Sequence, residues 1–247
     1  MPRVMLAVIV TTIPMLAHAQ DIGRNVEVEV SASLLFGNTR QALATTRAAF
    51  ERIDSSYAFI SDARFNYGEA TTPEGIDYVS KRSWLGSTNL DFRPFADVSP
   101  FLLGTIESSL ERRIDLRYSA GAGSKFNLVR SERTNTDLSL ALLAERSILP
   151  DSALGTVTRT LARWSARFRA EHELADRIAF TSETFYRPEV ASFGDFTFST
   201  SNSLGYQLTE QINIRVSFVD NYDSEARSRG ARTNNDGEIV FGVLTTL

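Results

Sequence analysis

Thr158 to Glu173 reads TRTLARWSARFRAEHE. As a strand it carries Ala162, Trp164, Ala166, Phe168 and Ala170 on one face and Arg163, Ser165, Arg167, Arg169 and Glu171 on the other, because successive strand side chains point to opposite sides. Wound as a helix, the same residues would scatter around its circumference and mix charge with aromatic rings. The period is two, so the segment is a strand with one apolar and one charged face.

The same period recurs along the chain. Asn25 to Phe36 sets Val26, Val28, Val30, Ala32, Leu34 and Phe36 against Glu27, Glu29, Ser31 and Ser33. Asp195 to Thr209 sets Phe196, Phe198, Leu204, Tyr206 and Leu208 against Asp195, Thr197, Ser199, Ser201, Ser203 and Gln207, and Gln211 to Tyr222 sets Ile212, Ile214, Val216 and Phe218 against Asn213, Arg215, Ser217 and Asn221. Those two are expected to form a hairpin through Thr209-Glu210. Weaker alternation over 41–51, 56–68, 78–93, 99–110, 113–128, 134–148, 178–187 and 237–247 brings the predicted strands to twelve. Short links near 52–55, 93–98, 129–133, 174–177 and 209–210 interleave with longer ones at 70–78, 149–156 and 223–236. The fold class expected is therefore all-β, a transmembrane antiparallel up-and-down barrel of about twelve strands, with short turns and both termini on the periplasmic side. The longest loop, 223–236, reads as exposed and mobile.

The first residues fit export. Arg3 precedes an apolar run from Val4 to Met15 and the small-residue triplet Ala17-His18-Ala19, so residues 1–19 are expected to be a signal peptide cut after Ala19 and residues 20–247 the barrel domain. That run is shorter than a spanning helix needs and is interrupted by Thr11, Thr12 and Pro14. Its removal takes one of the 26 basic residues and none of the 30 acidic ones. The remaining chain is mildly acidic, which argues against a nucleic-acid partner. There is no cysteine, which excludes disulfides and thiolate metal sites. Charged residues interrupt every later apolar run, so a membrane-spanning form must be a closed barrel. A soluble sandwich that binds a periplasmic partner is the other architecture compatible with alternating faces.

Aromatic placement favours the barrel. Tyr57 and Tyr206 fall near one set of strand ends and Tyr67, Tyr78, Tyr186 and Tyr222 near the other, where amphipathic rings sit at headgroup level. Trp84 and Trp164 fall on the apolar face. Ile239, Phe241, Val243, Thr245 and Leu247 end the chain inside the last strand, similar to the terminal signal read by the barrel-assembly machinery, with Leu247 where an aromatic residue is usual. Three short motifs in order, Phe36-Gly37-Asn38-Thr39, Ser119-Ala120-Gly121-Ala122-Gly123 and Asn221-Tyr222-Asp223-Ser224, resemble the DUF481 family over nearly the whole exported chain. That resemblance implies an outer-membrane protein of a set with a salt-induced member, and it implies no catalytic residue. From the residues themselves, Gly37-Asn38 suits a tight turn, and Gly121 and Gly123 suit a kink or a close backbone approach.

No catalytic motif stands out. Apart from His18 in the leader, the one histidine is His172, on the lipid-facing parity near a periplasmic turn, where barrel lipases and proteases do not work. No cofactor is expected and no metal site; Asp220, Asp223, Glu225 and Asp236 around the last long loop are candidates only for a hard cation. The chemistry left is in the lumen. Glu27, Glu29, Arg47, Glu51, Asp62, Arg64, Asp91, Arg93, Glu107, Asp115, Arg117, Arg163, Arg167, Arg169, Glu171, Glu183 and Arg215 fall on the inward parity. Opposite charges there either pair and plug a narrow barrel or leave a thin polar path, in which an Arg163, Arg167, Arg169 ladder attracts small anions. The expected protein is a monomer in outer-membrane lipid with an envelope-structural or stress-related role. A solute or ion channel and an enzyme acting on lipid or surface peptide are the alternatives.

Overall fold

In the computed structural model, which describes residues 23–35, 40–72, 75–151 and 155–246, the chain forms twelve antiparallel strands closed into one barrel. They are β1 (Arg24–Leu35), β2 (Arg40–Ile53), β3 (Tyr57–Thr71), β4 (Asp77–Phe92), β5 (Val98–Ser109), β6 (Ile114–Arg130), β7 (Thr134–Asp151), β8 (Gly155–Ala175), β9 (Ile178–Pro188), β10 (Phe196–Gln207), β11 (Ile212–Asp223) and β12 (Asn235–Thr246). Each strand pairs with its sequence neighbours, and β1 pairs with β12 from Glu27–Thr246 to Ser31–Gly242 to close the sheet. Closure removes the open edges that hydrocarbon cannot satisfy. Among the described residues no helix is long and apolar enough to cross a membrane.

Register turns the alternation into two surfaces. Along β7, Asp137, Ser139, Ala141, Leu143, Glu145, Ser147 and Leu149 are buried, and the residues between them are exposed or half-buried. On the outer face Leu142 and Trp164 are each 47% exposed and Phe241 66%. Such residues encircle the barrel: Val28, Phe65, Trp84, Leu102, Phe168 and Phe218 belong to the same belt. A soluble protein rarely leaves so large a continuous apolar surface. A lipid-facing wall requires it, so the sandwich reading is set aside. Tyr186, Phe196 and Tyr222 cluster at one rim, with ring centroids 5.5 and 5.3 Å apart, as an interfacial girdle does.

The largest departures from the sequence expectation lie at the end away from the termini, here the loop end. β7 and β8 continue to Asp151 and Gly155, beyond the last β8–β9 ladder pair, Ala166–Tyr186. Pro150 is tolerated because β6 pairs no further along β7 than Ile148, so the missing N–H costs no ladder bond. The β10–β11 turn is Leu208 to Gln211, with the Thr209 hydroxyl accepting the Gln211 and Ile212 amides at 3.3 and 3.0 Å. At the terminal end, Asp54 accepts the Ser56 and Tyr57 amides at 2.7 and 2.9 Å. The Tyr57 bond, then the Ser56 bond, hold its carboxyl below the usual range. The expected leader with Ala17 and Ala19, the Gly37-Asn38 turn and Leu247 lie outside the described residues.

Candidate functional site in the lumen

The inner face is charged, and its charges are joined. At the loop end one chain of ion pairs runs around and across the barrel: Arg112–Glu107 at 2.5 Å, Glu107–Arg117 at 3.2 Å, Arg117–Glu145 at 3.4 Å and Glu145–Arg163 at 3.1 Å. It continues through Arg163–Asp195 at 3.0 Å, Asp195–Arg159 at 2.6 Å and Arg159–Glu189 at 2.7 Å. These residues come from β5, the β5–β6 turn, β6, β7, β8 and the β9–β10 loop. Asp223 of β11, 2% exposed, joins by a branch, at 3.8 Å from Arg117 and 2.5 Å from Arg229.

The last loop closes this layer. The loop over 224–234 reaches inward at Ala226, 1% exposed, and at Arg229, whose guanidinium donates to the Arg112 carbonyl at 3.4 Å. β11 and β5 are six places apart in a ring of twelve, so the contact spans the lumen. The expected exposure holds at Arg227, Ser228, Gly230, Arg232 and Thr233, while Ala226 and Arg229 reach into the barrel. The Asp223 carboxylate caps the Glu225 amide at 3.0 Å and binds Arg229, while Asn234 accepts the Arg227 amide at 2.8 Å and donates to the Ser224 carbonyl at 3.2 Å. Those bonds fold the loop on itself. Asp223 is engaged with two arginines and Asp236 lies 4.0 Å from Lys81, so the loop acids do not converge on a common point.

The sequence-expected residues divide between this layer and the half below it. Arg163 belongs to the loop-end chain. Nearer the terminal end Arg47 bridges Glu27 and Asp62 at 3.4 and 2.5 Å, and Arg215 meets Glu29 at 3.1 Å. Arg167 meets Asp137 at 2.9 Å and Glu183 at 3.7 Å, and Arg169 pairs with Glu171. Glu51 lies among charges of both signs, Arg169, Glu27, Glu171 and Lys125. Arg163, Arg167 and Arg169 therefore do not form a free basic ladder: each faces a carboxylate. Asp115 is displaced from the inward set. A register shift between Glu107 and Ser109 pairs Ser109 with Ile114, which leaves Ile114 buried and Asp115 exposed at the rim.

Sequence reasoning missed the apolar part of the lumen. Phe101, Ala141 and Leu143 pack there with Leu103 against the inner side of β6. The signal was Leu142-Leu143, where two adjacent leucines break the polar alternation of β7. Gly121 and Gly123 face this cluster, and a Cβ on them would lie 2.2 Å from the Leu142 and Leu140 carbonyl oxygens. The wall of β10 to β12 is built differently, with Ser199, Ser201, Ser203, Gly205, Ser217 and Gly242 on the inward parity. Against it a polar cavity of about 220 Å³ opens at the terminal end, lined among others by Glu27, Thr181, Ser203, Gln207, Asn213 and Arg215.

The match that decides the relationship covers residues 28–246, on the model described as protein of unknown function, DUF481. The chain belongs to the DUF481 family. No curated protein sequence matches this DUF481 chain. Its fold is shared with solved outer-membrane barrels. A NanC porin aligns with a TM-score of 0.51 and 10% identity over 90% of this chain and 98% of that one. An outer membrane channel from Pseudomonas putida F1 aligns with a TM-score of 0.51 and 8% identity over 95% and 98%. At these identities the likeness is one of fold.

Electrostatics at the loop end set a pH dependence. Burial works against ionisation of Asp195, but the Arg163 and Arg159 guanidiniums outweigh it and hold the carboxyl below its usual range. A depressed folded value means that the stabilisation is complete above the unfolded aspartate value of about 4 and is lost as pH falls through the folded one. Neutral pH is expected to leave the layer closed, and acid below about pH 4 to loosen it. Conductance recorded over a pH series checks this, with Asp195→Asn expected to show the acid behaviour at neutral pH.

Proposed function

We propose that the protein is an outer-membrane barrel whose polar lumen is filled at the loop end, acting as a structural or stress-related element of the envelope rather than as an open porin. In this reading the termini face the periplasm and the loops face outward, with the lipid-facing Ile239, Phe241 and Val243 of β12 offered to the assembly machinery. The observation that carries it is the contact of Asp223 and Arg229 with the opposite wall through Arg117 and Arg112. The reading is non-catalytic. His172 is exposed at the terminal end, where its Nδ1 shares a hydrogen bond with the Thr134 hydroxyl at 2.6 Å, and among the described residues no carboxylate is hydrogen-bonded to that pair.

A second reading, a gated passage for small polar solutes, is favoured by the terminal-end cavity and the small inward side chains of β10 to β12. Both readings require the resting barrel to conduct poorly. The refolded protein in a planar bilayer at neutral pH is expected to give rare and small steps. Large steps in an always-open state would overturn both.

A further inference from the structure

The rim of the barrel is notched at the loop end. β4 reaches back to Asp77, beyond its last ladder pair with β5, Ser83–Ser109, and β7 runs on to Asp151, beyond its last pair with β6, Leu116–Ile148. The β5–β6 turn, 110–113, lies between those two taller walls. A cavity of about 220 Å³ opens there, lined among others by Arg82, Ser108, Leu110, Arg113, Asp115 and Pro150. It opens on the outer side: Lys81 and Ser83, on either side of Arg82, meet Glu238 and Asn66 in the lumen, which leaves Arg82 exposed on the opposite face.

Charge in the notch is not balanced from within. Neither Arg82 nor Arg113 has an ion pair among the described residues, and the acids of β3, β5 and the turn have other partners. Glu69 accepts the Tyr67 hydroxyl at 2.7 Å, Glu111 accepts the Ser109 hydroxyl at 3.0 Å, and Glu107 is held by Arg112 and Arg117 in the lumen. Asp115 is the one carboxylate among the six lining residues named. Arg113 is also held at φ 54°, a left-handed backbone that glycine or asparagine adopts more readily. The turn carries its arginine at a conformational cost.

Below the notch the outer wall suits an acyl chain. Gly104, Ala120, Ala144 and Ala162 stand side by side across β5 to β8, and a Cβ on Gly104 would meet only the Ser119 carbonyl oxygen within 4 Å, at 3.9 Å. Larger exposed side chains border that row, Ile106 and Tyr118 on the notch side and Leu102, Leu142 and Trp164 on the other. The small residues therefore form a shallow furrow in an apolar surface. Arg146, exposed beside Tyr118 on the notch side of the furrow, likewise has no ion pair among the described residues. An arginine on a lipid-facing wall is costly unless an anion compensates it.

We propose that the notch binds a phosphorylated glycolipid of the outer leaflet. The Arg82 and Arg113 guanidiniums are forks of N–H donors that match phosphate oxygens. Asp115 and the Ser108 hydroxyl oxygen accept from sugar hydroxyls, which gives the single carboxylate a use beside an anion. The acyl chains lie along the furrow, with Arg146 near the headgroup. The phosphate separates this ligand from a neutral lipid, and the furrow separates it from a free sugar phosphate. The outer-leaflet assignment rests on the outward loop end of the proposed function, and it does not depend on whether the lumen conducts.

Titration of the refolded protein in detergent with lipid A, followed by native mass spectrometry, is expected to show one bound molecule. Arg82→Gln combined with Arg113→Asn is expected to weaken that binding about tenfold, while the heat-modifiable band of a folded barrel persists. Arg113→Asn alone is expected to keep or raise the unfolding midpoint, because asparagine tolerates the left-handed backbone better, so its loss of binding is not a loss of fold. Arg177→Gln at the terminal end is expected to bind as the unaltered protein does. Dephosphorylated lipid A is expected to bind as weakly as the double variant binds lipid A, and inorganic phosphate at equal concentration is expected not to compete. Equal binding by the double variant, equal binding of the dephosphorylated lipid, or displacement by inorganic phosphate would each overturn the proposal. Orientation is read separately in this cysteine-free chain: Ser192→Cys, in the exposed β9–β10 loop, is expected to react with a membrane-impermeant maleimide on intact cells. Lipid A binding without that labelling would overturn the outward loop end, and with it the outer-leaflet assignment.

Discussion

Replacing Asp223 with alanine is expected to turn a quiet barrel into one with sustained ion steps at neutral pH, and to lower its unfolding free energy by about 3 kcal/mol. Asp223 is the point where the last loop, β11 and the opposite wall meet. Its carboxylate neutralises Arg229, approaches Arg117 and caps the Glu225 amide. Without it Arg229, whose side chain is 10% exposed, is left in the lumen with no other ion pair among the described residues. An uncompensated charge there is worth more than the attraction lost, because the remaining ion is either desolvated or must be pulled into water. The loop then follows its arginine outward and uncovers the lumen. Conductance in planar bilayers and a denaturant titration in detergent measure the two halves of this expectation. Unchanged conductance would show that the loop is not the closing element.

Two comparisons sharpen that result. The double variant Asp223→Ala with Arg229→Ala is expected to be less destabilised than the sum of its parts, by about 1 to 3 kcal/mol, because the charge that Asp223 compensates has gone too. Asp176→Ala at the terminal end is the control. Its partner Arg133 is 3.6 Å away with both side chains largely exposed, and such pairs contribute about 0 to 1 kcal/mol. It is expected to change neither stability nor current.

The twelve strands were legible because a barrel wall is a strict rule applied over and over. Glu27, Glu29, Arg47, Arg163, Arg167, Arg169, Glu171 and Arg215 alternate with apolar neighbours, and parity alone assigns them to one side. What parity cannot supply is the partner. Arg163 is tied to Asp195, 32 positions away, Arg215 to Glu29, 186 positions away, and Lys81 to Glu238, 157 away. Those contacts depend on which strands face one another across a closed cylinder and on the relative stagger of the strands, neither of which is written in a local pattern. For the same reason the last loop reads as polar and mobile in sequence. Its composition suits water, and only closure brings Arg112 and Arg117 within its reach. Asp115 shows the local limit, since one register shift moves a residue off its parity without any change of composition.

The glycines of β6 carry the other large effect. Gly123→Val is expected to prevent the barrel from forming, seen as loss of heat-modifiable migration and of membrane insertion. At Gly123 a Cβ would lie 2.2 Å from the Leu140 carbonyl oxygen, 2.7 Å from the Ala141 Cβ and 2.8 Å from the Ala141 Cα. Two of those atoms are backbone, held in the β6–β7 ladder, so no rotamer change relieves the contact. Overpacking a close-packed site usually costs about 1 to 3 kcal/mol, and here the strand pair itself must separate, so the cost falls at or above that range. Gly104, on the neighbouring β5, gives the contrast. A Cβ there meets only the Ser119 carbonyl oxygen, at 3.9 Å, so Gly104→Ala is expected to fold, and the residue also gains from a less flexible unfolded chain. If Gly123→Val folded as well as Gly104→Ala, the tight seating of β6 on β7 would not be a requirement of the barrel. The apolar cluster of Phe101, Ala141 and Leu143 would then owe its packing to the side chains alone.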